Sequence, residues 1–230
     1  MNRRMLSVVA LLGFAGSAFG AEPERVVREE IEWLDVWVPG NGDRKLPKVL
    51  LVGDSIARGY YGEVEARLKG KAVVARLTTS KSLGDDGLLA EVRMILSQTA
   101  FDVVHVNNGL HGWGYTEEEY AAALPELLKV IRTGVPKAKV VWATTTPMRT
   151  LGKLETLSDK NPRVEARNAI AAKVMAKESV PTNDLYALLA GKPDWYSGDG
   201  VHLNAKGTGA LATKVAETVA GLLPTPMPKE

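Results

Sequence analysis

Hydrophobic and polar positions change period along the chain in blocks. "KVLLVG" (48–53) is an unbroken apolar run bounded by turn residues, the pattern of a parallel strand buried on both faces. "AVVARLT" (72–78), "FDVVHV" (101–106) and "AKVVWATTT" (138–146) repeat it, and a short fifth strand fits 180–184. Between these runs the spacing turns helical. Residues 61–69 read as a helix, and "DGLLAEVRMILSQ" (86–98) places apolar residues at 88, 89, 92, 95 and 96. "TEEEYAAALPELLKVIRTG" (116–134) opens on Thr116 and Glu119 in capping-box spacing and closes on Gly134. "NPRVEARNAIAAKVMAKE" (161–178) starts with Asn161 as N-cap and Pro162 as first helical residue, and a last helix covers 204–223. Strand and helix alternating in this way predict an α/β fold. Its form is a three-layer α/β/α sandwich with a mainly parallel central sheet. In such sheets the site lies at the carboxyl ends of the strands.

The two ends of the chain read differently. "MNRRM" followed by "LSVVALLGFAGSAFG" is a positive start and an apolar core, and Ala18-Phe19-Gly20 is a small-x-small cleavage site. Residues 1–20 are therefore expected to be a signal peptide, which predicts a secreted or periplasmic protein with no membrane attachment after cleavage. Residues 21–46 form a polar lead-in, 47–223 the domain, and 224–230 a proline-rich tail. Trp33 and Trp37 lie four apart in the lead-in, so one helical turn would put both on one face. Either they pack on the domain or they stack on a sugar.

Composition narrows the function classes. The formal net charge is +2, and losing Arg3 and Arg4 with the leader brings it to zero. No basic stripe suits nucleic acid and no polybasic block suits a membrane surface. There is no cysteine, which excludes thiol catalysis, and the three histidines show no metal-binding spacing. No metal or cofactor is expected.

Chemistry gathers at one sheet edge. The first strand runs into Gly53-Asp54-Ser55, the second into "TTSKSLGDDG", the third into "NNGLHGWG". Ser55 either caps the following helix or is exposed as a nucleophile. A serine hydroxyl needs a base, and His202 in "YSGDGVHLNAKG" is the candidate. Asp199, three residues earlier, is placed to accept the other ring N–H and fix the tautomer. An oxyanion would need donors: the Ser55 N–H, the Gly84 N–H and a side-chain amide from "NNG". His105 reads as a core or rim histidine within a strand. Thr144–Thr146 end a strand at the same edge, and Arg167 and Asn168 default to solvent or packing on their helix.

Gly-Asp-Ser near the start, Gly84 after the second strand, an Asn after the third and "DGVHLN" (199–204) before the last helix resemble the SGNH hydrolases, the GDSL-type esterases and lipases. The resemblance covers roughly 48–223. It implies a flavodoxin-like sheet, with Ser55 as nucleophile, His202 as general base, Asp199 as its partner and Gly84 in the oxyanion hole. The third block departs from the family's G-x-N-D. Asn107 or Asn108 supplies the amide, with a slight preference for Asn108, whereas a gapless register would put His111 there. His111 and Trp113 are expected to border the substrate pocket.

The resulting expectation is an exported serine esterase acting through an acyl-enzyme on short-chain, chiefly O-acetyl, esters of a carbohydrate. Its substrate would be a small molecule or a polysaccharide. A lipid- or thioester-directed hydrolase and a non-catalytic carbohydrate-binding protein on the same fold are the rivals. Chain-length preference and the presence of the complete Ser55, Asp199, His202 set discriminate them.

Overall fold

A computed structural model describes residues 26–42 and 45–224. The expected leader (1–20) and tail residues 225–230 lie outside the described residues. A six-stranded sheet, order β1-β3-β2-β4-β5-β8, forms the middle layer. Its strands are β1 (Leu34–Trp37), β2 (Lys48–Gly53), β3 (Val73–Thr79), β4 (Val103–Asn107), β5 (Lys139–Ala143) and β8 (Thr182–Asn183). All pairings are parallel except β1 on β3.

The helices are α1 (Ser55–Arg67), α2 (Asp86–Gln98), α3 (Glu117–Gly134), α4 (Asn161–Lys177), α5 (Leu185–Leu189) and α6 (Ala205–Ala220). They cover both faces. Successive side chains of a strand face opposite ways, and β2 shows the consequence. Val49 and Leu51 join the α1–α6 core, whereas Leu50 and Val52 join the α2–α3 core. Each such burial contributes about 1.5–3 kcal/mol, which explains a strand with no polar face. β2 lies between β3 and β4, so successive chain crossovers leave it in opposite directions. Its carboxyl end is the crevice where such sheets place their ligands.

Several local expectations are corrected. Trp33 and Trp37 do not share a helical turn: β1 takes Leu34–Trp37 into the sheet edge, because its backbone groups pair in register with Arg76–Thr79. α1 begins at Ser55 rather than 61, since Asp54 caps it by accepting from Ile56 N–H at 2.9 Å. β5 stops at Ala143: Thr144 N–H still donates to Asn183 O at 3.0 Å, and its Oγ1 accepts from the Leu185 and Tyr186 N–H groups that open α5. Asn161 does not cap α4. It is buried within the first turn, accepting from Met148 N–H and donating to Tyr186. The hairpin β6 (Arg149–Thr150) and β7 (Lys153–Leu157) has no hydrophobic periodicity to announce it. The capping box of α3 forms as expected, with Thr116 Oγ1 accepting from Glu119 N–H at 3.2 Å and Glu119 accepting from Thr116 N–H at 2.6 Å. Among the described residues no helix is long and apolar enough to cross a membrane.

Candidate active site

Ser55 opens α1 directly after β2, so strand and helix fix its position from both sides. His202 lies on the loop between Trp195 and α6. Its Nε2 is 2.8 Å from Ser55 Oγ, and its Nδ1 is 2.6 Å from Asp199 Oδ2. The other Asp199 oxygen accepts from the Val201 and His202 N–H groups, both at 2.9 Å. Partial burial pushes the Asp199 carboxyl up, but the hydrogen bonds from the His202 ring and from these N–H groups outweigh it and hold it below its ordinary range. The carboxylate is thus ionised at neutral pH and accepts the Nδ1 proton. That leaves the Nε2 lone pair toward the serine.

The loop that carries this pair is strapped by the unforeseen hairpin. Arg149 N–H donates to Gly200 O at 2.8 Å, and Gly152 N–H to Gly198 O at 3.0 Å. Gly200 has φ +76°, and a Cβ there would collide with the Arg149 carbonyl. Only glycine fits between the hairpin and Asp199.

Across the sheet edge the loops after β3 and β4 are sewn together. Asn108 Oδ1 accepts from Leu83 N–H at 3.0 Å, and its Nδ2 donates to Lys81 O at 3.1 Å. Asn107 Nδ2 donates to Ala143 O at 3.1 Å and Thr144 O at 3.0 Å. Both amides therefore serve backbone groups. Gly84 has φ +99°, and a Cβ would lie 2.8 Å from the Tyr115 ring, so the tight loop requires glycine. Among the described residues neither the Ser55 nor the Gly84 N–H donates to a protein acceptor. They are free to meet an oxyanion.

α4 holds this side from beneath. Arg167 is 1% exposed and donates to the carbonyls of Gly109 (3.0 Å), His111 (2.7 Å) and Gly112 (3.0 Å). Arg163 donates to the carbonyls of Trp113 and Tyr115. Asn168 pairs with both backbone groups of Thr145. Trp113 is packed against α4, with the Arg167 guanidinium 4.8 Å from its ring centre. Reading Arg167 by default as solvent or packing missed its role as a clamp. The available signal was the i, i+4 pair of arginines on one helix face.

The lead-in completes the site's outer wall. Glu29 accepts from Gly112 N–H at 2.8 Å, Arg28 pairs with Asp85, and Glu32 takes Lys81 Nζ at 2.5 Å and Ser80 Oγ at 2.8 Å. Burial pushes Glu32 up, but these donors and the Glu29 N–H win and lower its pKa to about 2. Trp33 meets His111 edge-on at 6.3 Å and has Arg58 4.6 Å from its ring centre. Among the described residues no cluster of three or more metal-ligating side chains exists.

A sequence profile of the GDSL-like lipase/acylhydrolase family matches residues 51–210, the span from β2 through Asp199 and His202 into α6. The chain belongs to this family of acylhydrolases. No curated sequence is detectably similar to it. Solved structures share the fold at low identity. A GDSL-like lipase from Bacteroides thetaiotaomicron superposes with a TM-score of 0.64 at 15% identity, covering 79% of this chain and 92% of its own. A carbohydrate esterase family 3 protein from Talaromyces cellulolyticus gives 0.61 at 16%, covering 77% and 98%. An acetyl xylan esterase gives 0.60 at 19%, covering 75% and 99%. The GDSL-type α/β fold expected from the sequence is thus established, and the family is one of ester hydrolysis.

Proposed function

We propose that this GDSL-type hydrolase is an exported serine esterase that removes short acyl groups, acetyl above all, from a carbohydrate. The observation that carries the reading is the unbroken hydrogen-bonded chain Ser55–His202–Asp199. Ser55 Oγ attacks the ester carbonyl while His202 Nε2 takes its proton, and Asp199 holds the resulting imidazolium. The Ser55 and Gly84 N–H groups receive the oxyanion. Collapse expels the alcohol with the proton returned from His202. Water, activated by the same ring, then releases the acid from the acyl-enzyme.

Two features support a short acyl group on a bulky alcohol. A cavity of about 100 Å³ adjoins Ser55 and His202, lined on its apolar side by Ile56, Tyr60, Leu203 and Leu211. It is well below the several hundred Å³ of sites for drug-sized ligands. His202 and Asp199 are about half exposed, at 50% and 45%, which leaves an approach for a polymer. Structural neighbours named as a carbohydrate esterase and an acetyl xylan esterase lie in the same direction. Export rests on the leader at 1–20.

Hydrolysis of p-nitrophenyl acetate, butyrate and octanoate and of acetylated xylan, by wild type and Ser55→Ala, tests the reading. Expected is a preference for acetate, release of acetate from the polymer, and loss of both in the variant. Preference for octanoate would replace the carbohydrate substrate by a lipid. Sugar binding with no ester turnover would make the protein a binding module.

A further inference from the structure

The reaction proposed above leaves one donor unassigned. Two backbone N–H groups face the oxyanion, and the amides at the third position are already engaged. Asn107 Nδ2 bonds two carbonyls, and Asn108 is pinned at both ends by Lys81 and Leu83. The next polar side chain on the same loop is His111. Its backbone is immobilised by Arg167, which holds the carbonyl of His111 and those of Gly109 and Gly112. Its ring is placed by two residues of the N-terminal segment. Glu29 Oε1 lies 3.5 Å from Nδ1, and Trp33 meets the ring edge-on. The same Glu29 oxygen accepts from Gly112 N–H at 2.8 Å, so the carboxylate is itself fixed. The ring stands on the nucleophile's side of the sheet edge. Trp33 also bridges His111 to Arg58 in the first turn of α1.

We propose that His111, held through Nδ1 by Glu29, donates the third hydrogen bond to the oxyanion from Nε2. Glu29 is a positioning residue, and the assignment rests on the serine-esterase reading. With one ring proton directed to Glu29, Nε2 donates only when it also carries a proton, so the working form is the imidazolium. No proton is transferred: the ring offers a charged hydrogen bond as negative charge develops, and recovers it unchanged. Glu29 is the carboxylate that faces this charge.

The test measures kcat and KM on p-nitrophenyl acetate for wild type, Ser55→Ala, His111→Ala, His111→Asn, Asn108→Ala, Glu29→Gln and Glu29→Ala. Expected is a fall in kcat of about 10²–10³ for His111→Ala with KM little changed. His111→Asn should recover most of the rate, because an amide can donate from the same position. Glu29→Ala should cost about tenfold in kcat, with Glu29→Gln between it and wild type. Wild-type kcat in His111→Ala, no recovery in His111→Asn, or a larger loss in Asn108→Ala than in His111→Ala would each overturn the assignment while leaving Ser55-dependent hydrolysis intact. A wild type whose turnover does not depend on Ser55 would overturn the esterase reading and this assignment with it.

Discussion

The loop 197–203 and the loop 108–112 are built by opposite means. The first is short-range and open. Asp199 and His202 are three residues apart, about half exposed, and their ring–carboxylate bond closes within one turn of chain. The second is long-range and buried. It is held by Arg167 from α4, by Asn108 to the loop after β3, and by Glu29 from the lead-in. The groups proposed to move a proton are left near water. The groups that must hold still while charge develops are fixed by bonds to backbone carbonyls. Preorganisation of that kind requires many partners, and they come from distant segments.

The largest expected effect breaks the open side. Ser55→Ala and His202→Ala should each lower kcat by about 10⁴-fold or more, and the double variant should be no worse than either alone, because the pair acts as a unit. Since His202 is half exposed, His202→Ala should change unfolding free energy by only about 0.5 kcal/mol. Steady-state kinetics with urea titration of the same three proteins checks both halves.

The buried side should behave in the reverse way. Arg167→Met leaves the carbonyls of Gly109, His111 and Gly112 without their donor. Removing a buried charged donor typically costs about 3–5 kcal/mol. Urea unfolding should show a loss of that order. kcat should fall as well, because the loop that carries His111 is released. A variant with wild-type stability would mean that water substitutes for the guanidinium, and that the loop needs no clamp.

What was legible follows the same division. The alternating runs between Lys48 and Ala220 revealed the parallel sheet because a strand buried on both faces has no choice but to be apolar. Ser55, Asp199 and His202 were legible because their motifs are short and ordered. Trp33 and Trp37 misled, since spacing of four is equally compatible with an edge strand, and the pairing that decides it lies some forty residues away on β3. Arg167 and Glu29 left little trace, because each acts on backbone carbonyl or N–H groups. Backbone groups are the same at every residue, so no sequence pattern marks their partners.

Two of the histidines sharpen the contrast. His202 is open, at 50% exposure, whereas His105 in β4 is fully buried between Tyr60 and Asn183. Burial lowers its pKa from 6.5 to about 4. The folded ring stays neutral while the unfolded one takes up a proton. Stability is therefore unaffected above about pH 6.5, and falls as pH drops from there toward 4, by about 3 kcal/mol at the bottom of the window. Carboxylates held low, such as Asp199 and Glu32, add losses only nearer the acid end. Urea unfolding at pH 7 and 5 should show the slope in wild type and a flatter one in His105→Leu. An equal slope in both would place the acid sensitivity elsewhere.

The smallest effect separates neighbours. Asn107 and Asn108 are adjacent and buried, yet one ties β4 to the end of β5 and the other ties β4 to the loop carrying Gly84. Either Ala variant leaves buried backbone groups unpaired and should cost about 1–3 kcal/mol in urea unfolding. Only Asn108→Ala should also lower kcat, because the Leu83 N–H it releases immediately precedes the Gly84 donor. The decrease should be smaller than in His111→Ala, since the Gly84 N–H is misplaced rather than removed. An equal kcat in both Asn variants would mean that the Gly84 loop keeps its shape through Tyr115 packing alone.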